Sequence, residues 1–321
     1  MHEKKIIKNL LAGGVLLLVL AGILQFAARK IPGFGQWYAV TIYPWIVGIY
    51  GRICGLVPFS VVEMGLYGLV LFFVYSLLRR KRKWRKIFAG VFFTAGLLAF
   101  LYTANCGVNY YRKPFSSYLD LQVGKATTED LKALCQELVE KINETAPEGP
   151  VDRGLLAQGK LARTGKAAME KLGEEYPALS GCYPVPKPVM VSWILAVQQL
   201  CGVYSPFTVE ANYNWQMTGY NIPHTICHEL SHLRGFMRED EANFIGILAC
   251  TESDDAYFRY SGYLMAWVHA GNALAKADVE SFYELHSQLC GRAVQDLQEN
   301  NEYWDQYEGK VAEVSNQVND T

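Results

Sequence analysis

The sequence predicts a mostly α-helical chain in two parts: a transmembrane region of three helices over residues 1–105, then an α-rich extracytoplasmic domain over 106–321 with one small strand or hairpin element. Three observations carry that expectation. Of the 321 residues, 51% are hydrophobic, and the longest apolar runs fall early. The near-neutral total of −1 hides an asymmetry: residues 1–105 hold thirteen Lys and Arg against Glu3 and Glu63, while the remainder holds 17 against 29 acids. Apolar residues then recur at helical spacing through most of the second part.

Residues 9–28 carry no charge, 61–78 only Glu63, and 87–103 none. Each run is close to the roughly 20 residues that cross a hydrocarbon core of about 30 Å. The first follows Lys4, Lys5 and Lys8, as a signal peptide would, but its apolar core is long and no convincing small-x-small cleavage site follows, so a retained span is expected. Between the first two runs, Arg29 to Ser60 carries Trp37, Tyr38, Tyr43, Trp45 and Tyr50. Rings with apolar bodies and polar edges favour the headgroup level, so this loop is expected to lie along the membrane surface, with a short re-entrant span over Tyr43 to Tyr50 as the alternative. The basic cluster from Arg79 to Lys86 holds its loop in the cytoplasm. That places the amino terminus inside and everything after about Asn105 outside, with membrane lipid as the partner of the cluster. Neither a Gly-rich phosphate loop nor a basic nucleic-acid face is present.

In the second part, Thr127 followed by Glu129 and Asp130 opens a helix that carries Leu131, Leu134, Leu138 and Ile142 to about Asn143. Pro147 to Pro150 ends it. Gly154 to Leu172 reads as a second helix, Tyr183 to Pro188 as an extended connection, and Gly202 to Trp215 as the strand or hairpin. After Asn243 the pattern is helical through Val314, with a polar, frayed tail from Ser315. The eight cysteines show no framework spacing and read as small buried hydrophobes.

The run His228-Glu229-Leu230-Ser231-His232 bears the chemistry. Helix positions i and i+4 share a face, so both imidazoles reach one tetrahedral zinc while Glu229 reaches a water beside it. Gly235 supplies the turn that ends the helix. A third ligand must come from Glu239, Asp240 or Glu241, which open the next helix; acids there also satisfy the helix dipole, and Arg238 cannot ligate. Cys227 points about 100° away from His228. His224, beside Pro223, suits a structural or capping role, and His269 and His286 read as packed core histidines.

These residues resemble the gluzincin peptidases, in which H-E-x-x-H is followed by a helix bearing a Glu ligand. Glu239 matches that register, with Ala242 three and Asn243 four positions on; Asn243 stands where Asp is usual, and the interval from His232 is shorter than the usual one. The metzincin pattern is approached at Gly235, but Arg238 occupies its third histidine position. Over almost its whole length the chain is also similar to a bacterial membrane family catalogued as domain of unknown function 3810, on its apolar start, Pro206 to Asn212, the H-E-x-x-H and Glu239 to Phe244. The resemblances imply a zincin-like outer domain and a membrane-anchored zinc metallopeptidase. In it, His228, His232 and Glu239 hold Zn2+, Glu229 is the general base, and the substrate is a peptide or envelope protein. The alternatives are a membrane sensor or assembly protein with a structural zinc site, and a scaffold whose acidic outer surface binds basic partners.

Overall fold

The computed structural model describes residues 2–78, 84–119, 124–149 and 159–319. Arg79 to Lys83 of the basic cluster and the start of the helix expected from Gly154 lie outside them. The described chain is mostly helical, with one three-stranded sheet.

The three apolar runs form α1 (His2–Lys30), α4 (Val61–Leu78) and α5 (Trp84–Tyr102), because none contains a proline or an interior charge beyond Glu63. Two stretches, Glu3–Lys30 and Trp84–Tyr111, are long and apolar enough to cross a membrane; the apolar part of α4, Val61–Tyr75, is shorter. α1 packs lengthwise on α5. The aromatic connection, expected as a loop along the membrane surface, is helical instead. It forms α2 (Phe34–Thr41) and α3 (Tyr43–Gly55), and α3 buries Tyr43, Val47, Gly51 and Cys54 as one stripe at helical spacing. Its other face keeps Trp45, Ile49 and Ile53 exposed.

The ends of the apolar helices meet the rest of the chain on one side. Ala28 near the end of α1 and Cys106 just beyond α5 enter the main core. At the start of α4, the free amides of Val61 and Val62 donate to Glu210 at 3.1 and 3.2 Å. Glu210 is buried and pairs with buried Lys187 at 2.6 Å, and Lys187 also donates to the carbonyl of Cys54.

Next come α6 (Thr128–Thr145), opened by a reciprocal capping box between Thr127 and Asp130, and α7 (Lys160–Glu175). The sheet order is β1 (Lys187–Pro188), β3 (Glu210–Tyr213), β2 (Gly202–Ser205). β2 and β3 are the expected hairpin, antiparallel with Gly202 opposite Tyr213, and β1 runs parallel to β3. A single turn, α8 (Trp193–Ala196), precedes β2. Then follow α9 (Asn221–His232), α10 (Glu239–Thr251), α11 (Ala256–Ala277), α12 (Val279–His286), α13 (Gly291–Asp305) and α14 (Lys310–Asn319). The tail expected to fray from Ser315 stays helical to Asn319, with Ala312 buried beneath it.

α9 runs through the middle of the main core. Ile222, Ile226, Leu230 and Leu233 are fully buried, against Leu161 and Met169 of α7 and Ile245 and Ala249 of α10. Burying a side chain of this size stabilises by about 1.5–3 kcal/mol, which holds the polar residues of the same helix in an otherwise apolar setting.

Candidate metal centre

Pro223 lies in the first turn of α9, where a missing N–H leaves no bond unmade. From there the helix presents His228 and His232 on one face while its isoleucines and leucines face the core. Gly235 turns the chain with φ +85°, a conformation that a side chain resists, and α10 then begins at Glu239.

This turn brings Glu239 back over the histidines. Its two carboxylate oxygens lie 3.1 Å from His228 Nε2 and 3.8 Å from His232 Nε2. The ligand atoms of the three residues all fall within 4.8 Å of one another. Each ring is oriented through its other nitrogen. His228 Nδ1 donates to the side-chain oxygen of Asn243 at 2.9 Å, and His232 Nδ1 to the carbonyl of Phe236 at 2.6 Å. With both Nδ1 atoms committed to these acceptors, both Nε2 atoms face the Glu239 carboxylate. Two imidazoles and one carboxylate form a donor set that fits zinc.

Glu229 stands beside them, almost fully buried, with Oε2 lacking any hydrogen-bond partner. Burial pushes its carboxyl up to about 8; the charge of His228 pulls it back, Glu239 raises it further, and the main chain of Tyr204 lowers it. Gly202 makes room for it, since a Cβ there would sit 2.5 Å from Glu229 Oε1. Burial alone would lower His228, but the hydrogen bond and charge of Glu239, with the charge of Glu229, raise it overall. His232 is pushed down to about 4 by burial and by the charge of His228.

The remaining candidates are engaged elsewhere. Glu241 accepts the amide of Phe115 at 2.7 Å, and Asp240 pairs with Arg238 at 2.7 Å, so Glu239 is the acid of the three that reaches the histidines. His224 donates to the carbonyl of Asn243 at 3.2 Å and is held down to about 3, chiefly by burial. Cys227 faces the carbonyl of Gly165, away from the site. His286 stacks on Trp267 and Phe282. His269, expected in the core, is exposed instead, and it is near enough to the cluster for the charge of His228 to add to the effect of partial burial in lowering its pKa.

Several supporting groups carry no local sequence signal because they come from far along the chain. The Tyr43 hydroxyl lies 3.1 Å from the carbonyl of His232 and 2.8 Å from the Tyr204 hydroxyl. Arg112 donates to the carbonyl of Arg234 and lies flat over the Phe236 ring at 3.6 Å. Arg234 in turn donates to the carbonyls of Ser180 and Cys182. Together they fix the turn that carries the Phe236 carbonyl.

His228, His232 and Glu239 line a cleft of about 400 Å³. Tyr102, Cys106 and Tyr110 line one wall, and Leu200 to Tyr204 another.

Fold and site together define a helical protein in which a histidine–carboxylate cluster sits beside the ends of long apolar helices. The model of a family described as "Protein of unknown function (DUF3810)" matches residues 38–321, and the chain belongs to that family. No curated protein and no solved structure matches the chain.

Proposed function

We propose that the protein is a membrane-anchored, zinc-dependent peptidase in which His228, His232 and Glu239 hold the metal and Glu229 is the general base. The observation that supports this best is the convergence of the two Nε2 atoms and Glu239, with both Nδ1 atoms committed to acceptors, beside a buried carboxylate that has an unpartnered oxygen.

Zinc held there would lower the pKa of a bound water toward about 7 and polarise a substrate carbonyl. Glu229, whose Oε2 has no other partner, would accept the proton of the attacking water there and pass it to the leaving amine once the charge of a bound metal has offset the effect of burial on its carboxyl. Asn243 and Phe236 keep both histidines in the ligating tautomer. The cleft wall of Gly202 to Tyr204 confines the peptide above Glu229.

The test uses the full chain purified in detergent, assayed for zinc and for hydrolysis of a pool of bacterial envelope peptides. Glu229→Gln is expected to keep zinc while hydrolysis falls roughly 10²-fold or more, the scale of a lost general base. Glu239→Gln is expected to lose metal and activity together, and Glu241→Gln to keep both. Full hydrolysis in Glu229→Gln would end the peptidase reading, and full zinc in a His228→Ala, His232→Ala double variant would end the metal site.

A further inference from the structure

We propose that the cleft opens at the lipid surface and takes peptides that are themselves held in the membrane, cutting them next to their anchor. The inference rests on the peptidase reading above and on α1, α4 and α5 being membrane-spanning. It begins with the cleft walls. Tyr102, Cys106 and Tyr110 belong to the apolar stretch Trp84–Tyr111, so the helix that would leave the bilayer also walls the cleft. Tyr102 and Tyr110 are 48% and 50% exposed, and amphipathic rings of this kind favour a membrane interface.

The opposite wall leads to the same surface by a separate route. From residue 176 to 209 the only charged residue is Lys187, which is buried in its pair with Glu210. Just upstream of Leu200 at the cleft rim, Met190 and Trp193 are 61% and 57% exposed. The amides of Met190 and Val191 donate to Glu63 in the first turn of α4, which ties this apolar apron to the start of that helix. Leu56, 83% exposed, lies in the turn that leads into α4. An apolar surface of this extent is costly in water and marks an interaction site. The exposed residues that follow Glu63 on α4 (Leu66, Leu69, Val70) and precede Tyr102 on α5 (Leu98) carry the same apolar surface onto the membrane-spanning helices, so the occupant is lipid. A peptide that reaches His228 and His232 between Tyr110 and Leu200 therefore arrives along the bilayer.

Two measurements on the full chain, reconstituted in phosphatidylcholine–phosphatidylglycerol vesicles, test this. A benzophenone amino acid placed at Tyr110 or Trp193 and irradiated should yield lipid adducts by mass, while the same probe at Glu280 on α12 should not; circular dichroism checks that each variant is folded. Absence of adducts at both sites overturns the proposed location. The second measurement offers one peptide pool carried on palmitoyl anchors through a short spacer of about four residues or a long one of about twenty. Both versions are equally concentrated at the vesicle, so co-localisation alone favours neither. Cutting about tenfold faster with the short spacer, at bonds close to the anchor, supports the proposal, and equal or faster cutting with the long spacer overturns it. No cutting of either pool refutes the peptidase reading and the substrate assignment with it, while the adducts still decide the orientation of the cleft.

Discussion

The Nδ1 atoms of His228 and His232 are each satisfied by a neutral oxygen, from the Asn243 amide and the Phe236 main chain. Neither acceptor shares the proton as strongly as a carboxylate would, so orientation rather than added basicity is what they supply. Replacing Asn243 by Leu keeps the volume and removes the acceptor, and zinc affinity measured by chelator competition should fall by about 10–100-fold. Protons compete for the same site. Because Glu239 raises His228 above the usual imidazole value in the metal-free chain, each zinc bound below that pKa must displace a proton. Zinc affinity should therefore fall by about tenfold per pH unit on acidification, and a flat affinity from pH 5 to 8 would count against His228 as a ligand. At this scale the two histidines and Glu229 were legible from spacing alone. The register of the resemblance already pointed to Glu239; the sequence could not show that Glu241 is taken by the Phe115 amide, nor that α9 and α10 cross so as to bring Asn243 onto His228.

Among the elements, the start of α4 depends on a residue from the sheet. Glu210 receives the first amides of the helix and neutralises Lys187, all in a buried setting. Glu210→Ala would leave Lys187 buried without its counter-charge, and a loss of about 3–5 kcal/mol is expected, read as a lowered unfolding midpoint in detergent. A Lys187→Met, Glu210→Leu double variant should recover much of it, since an apolar pair of similar volume carries no desolvation cost. The stretch Pro206 to Asn212 is thus explained in part by helix anchoring. Helices α6 and α9 and the β2–β3 hairpin could be read from capping residues, i to i+4 spacing and alternation. Helices α2 and α3 could not, because Gly33, Gly35, Pro44 and Gly48 imitate a loop, and what makes the segment helical is the burial of Tyr38, Tyr43 and Val47 against distant residues.

For the whole molecule, the ends of α1, α4 and α5 that meet the rest of the chain are the carboxyl, amino and carboxyl ends in turn, and the proposed orientation with three crossings is open to a direct test. A reporter active only outside the cytoplasm should work when fused after Thr321 and fail when fused near Trp84; the reverse pattern would refute the orientation. Hydropathy alone set the expectation of two parts divided at about residue 105. It could not show that Ala28, Tyr38, Tyr43 and Cys106 share one core with α9, because such contacts span up to two hundred residues. That shared core bears on the order of events during synthesis. A ribosome delivers Tyr43 long before His232, so the histidine helix emerges into a partly built cradle and finds its hydroxyl partner waiting. A chain whose first helices are out of place lacks that cradle, so the histidine site is completed by residues made at the very start of synthesis.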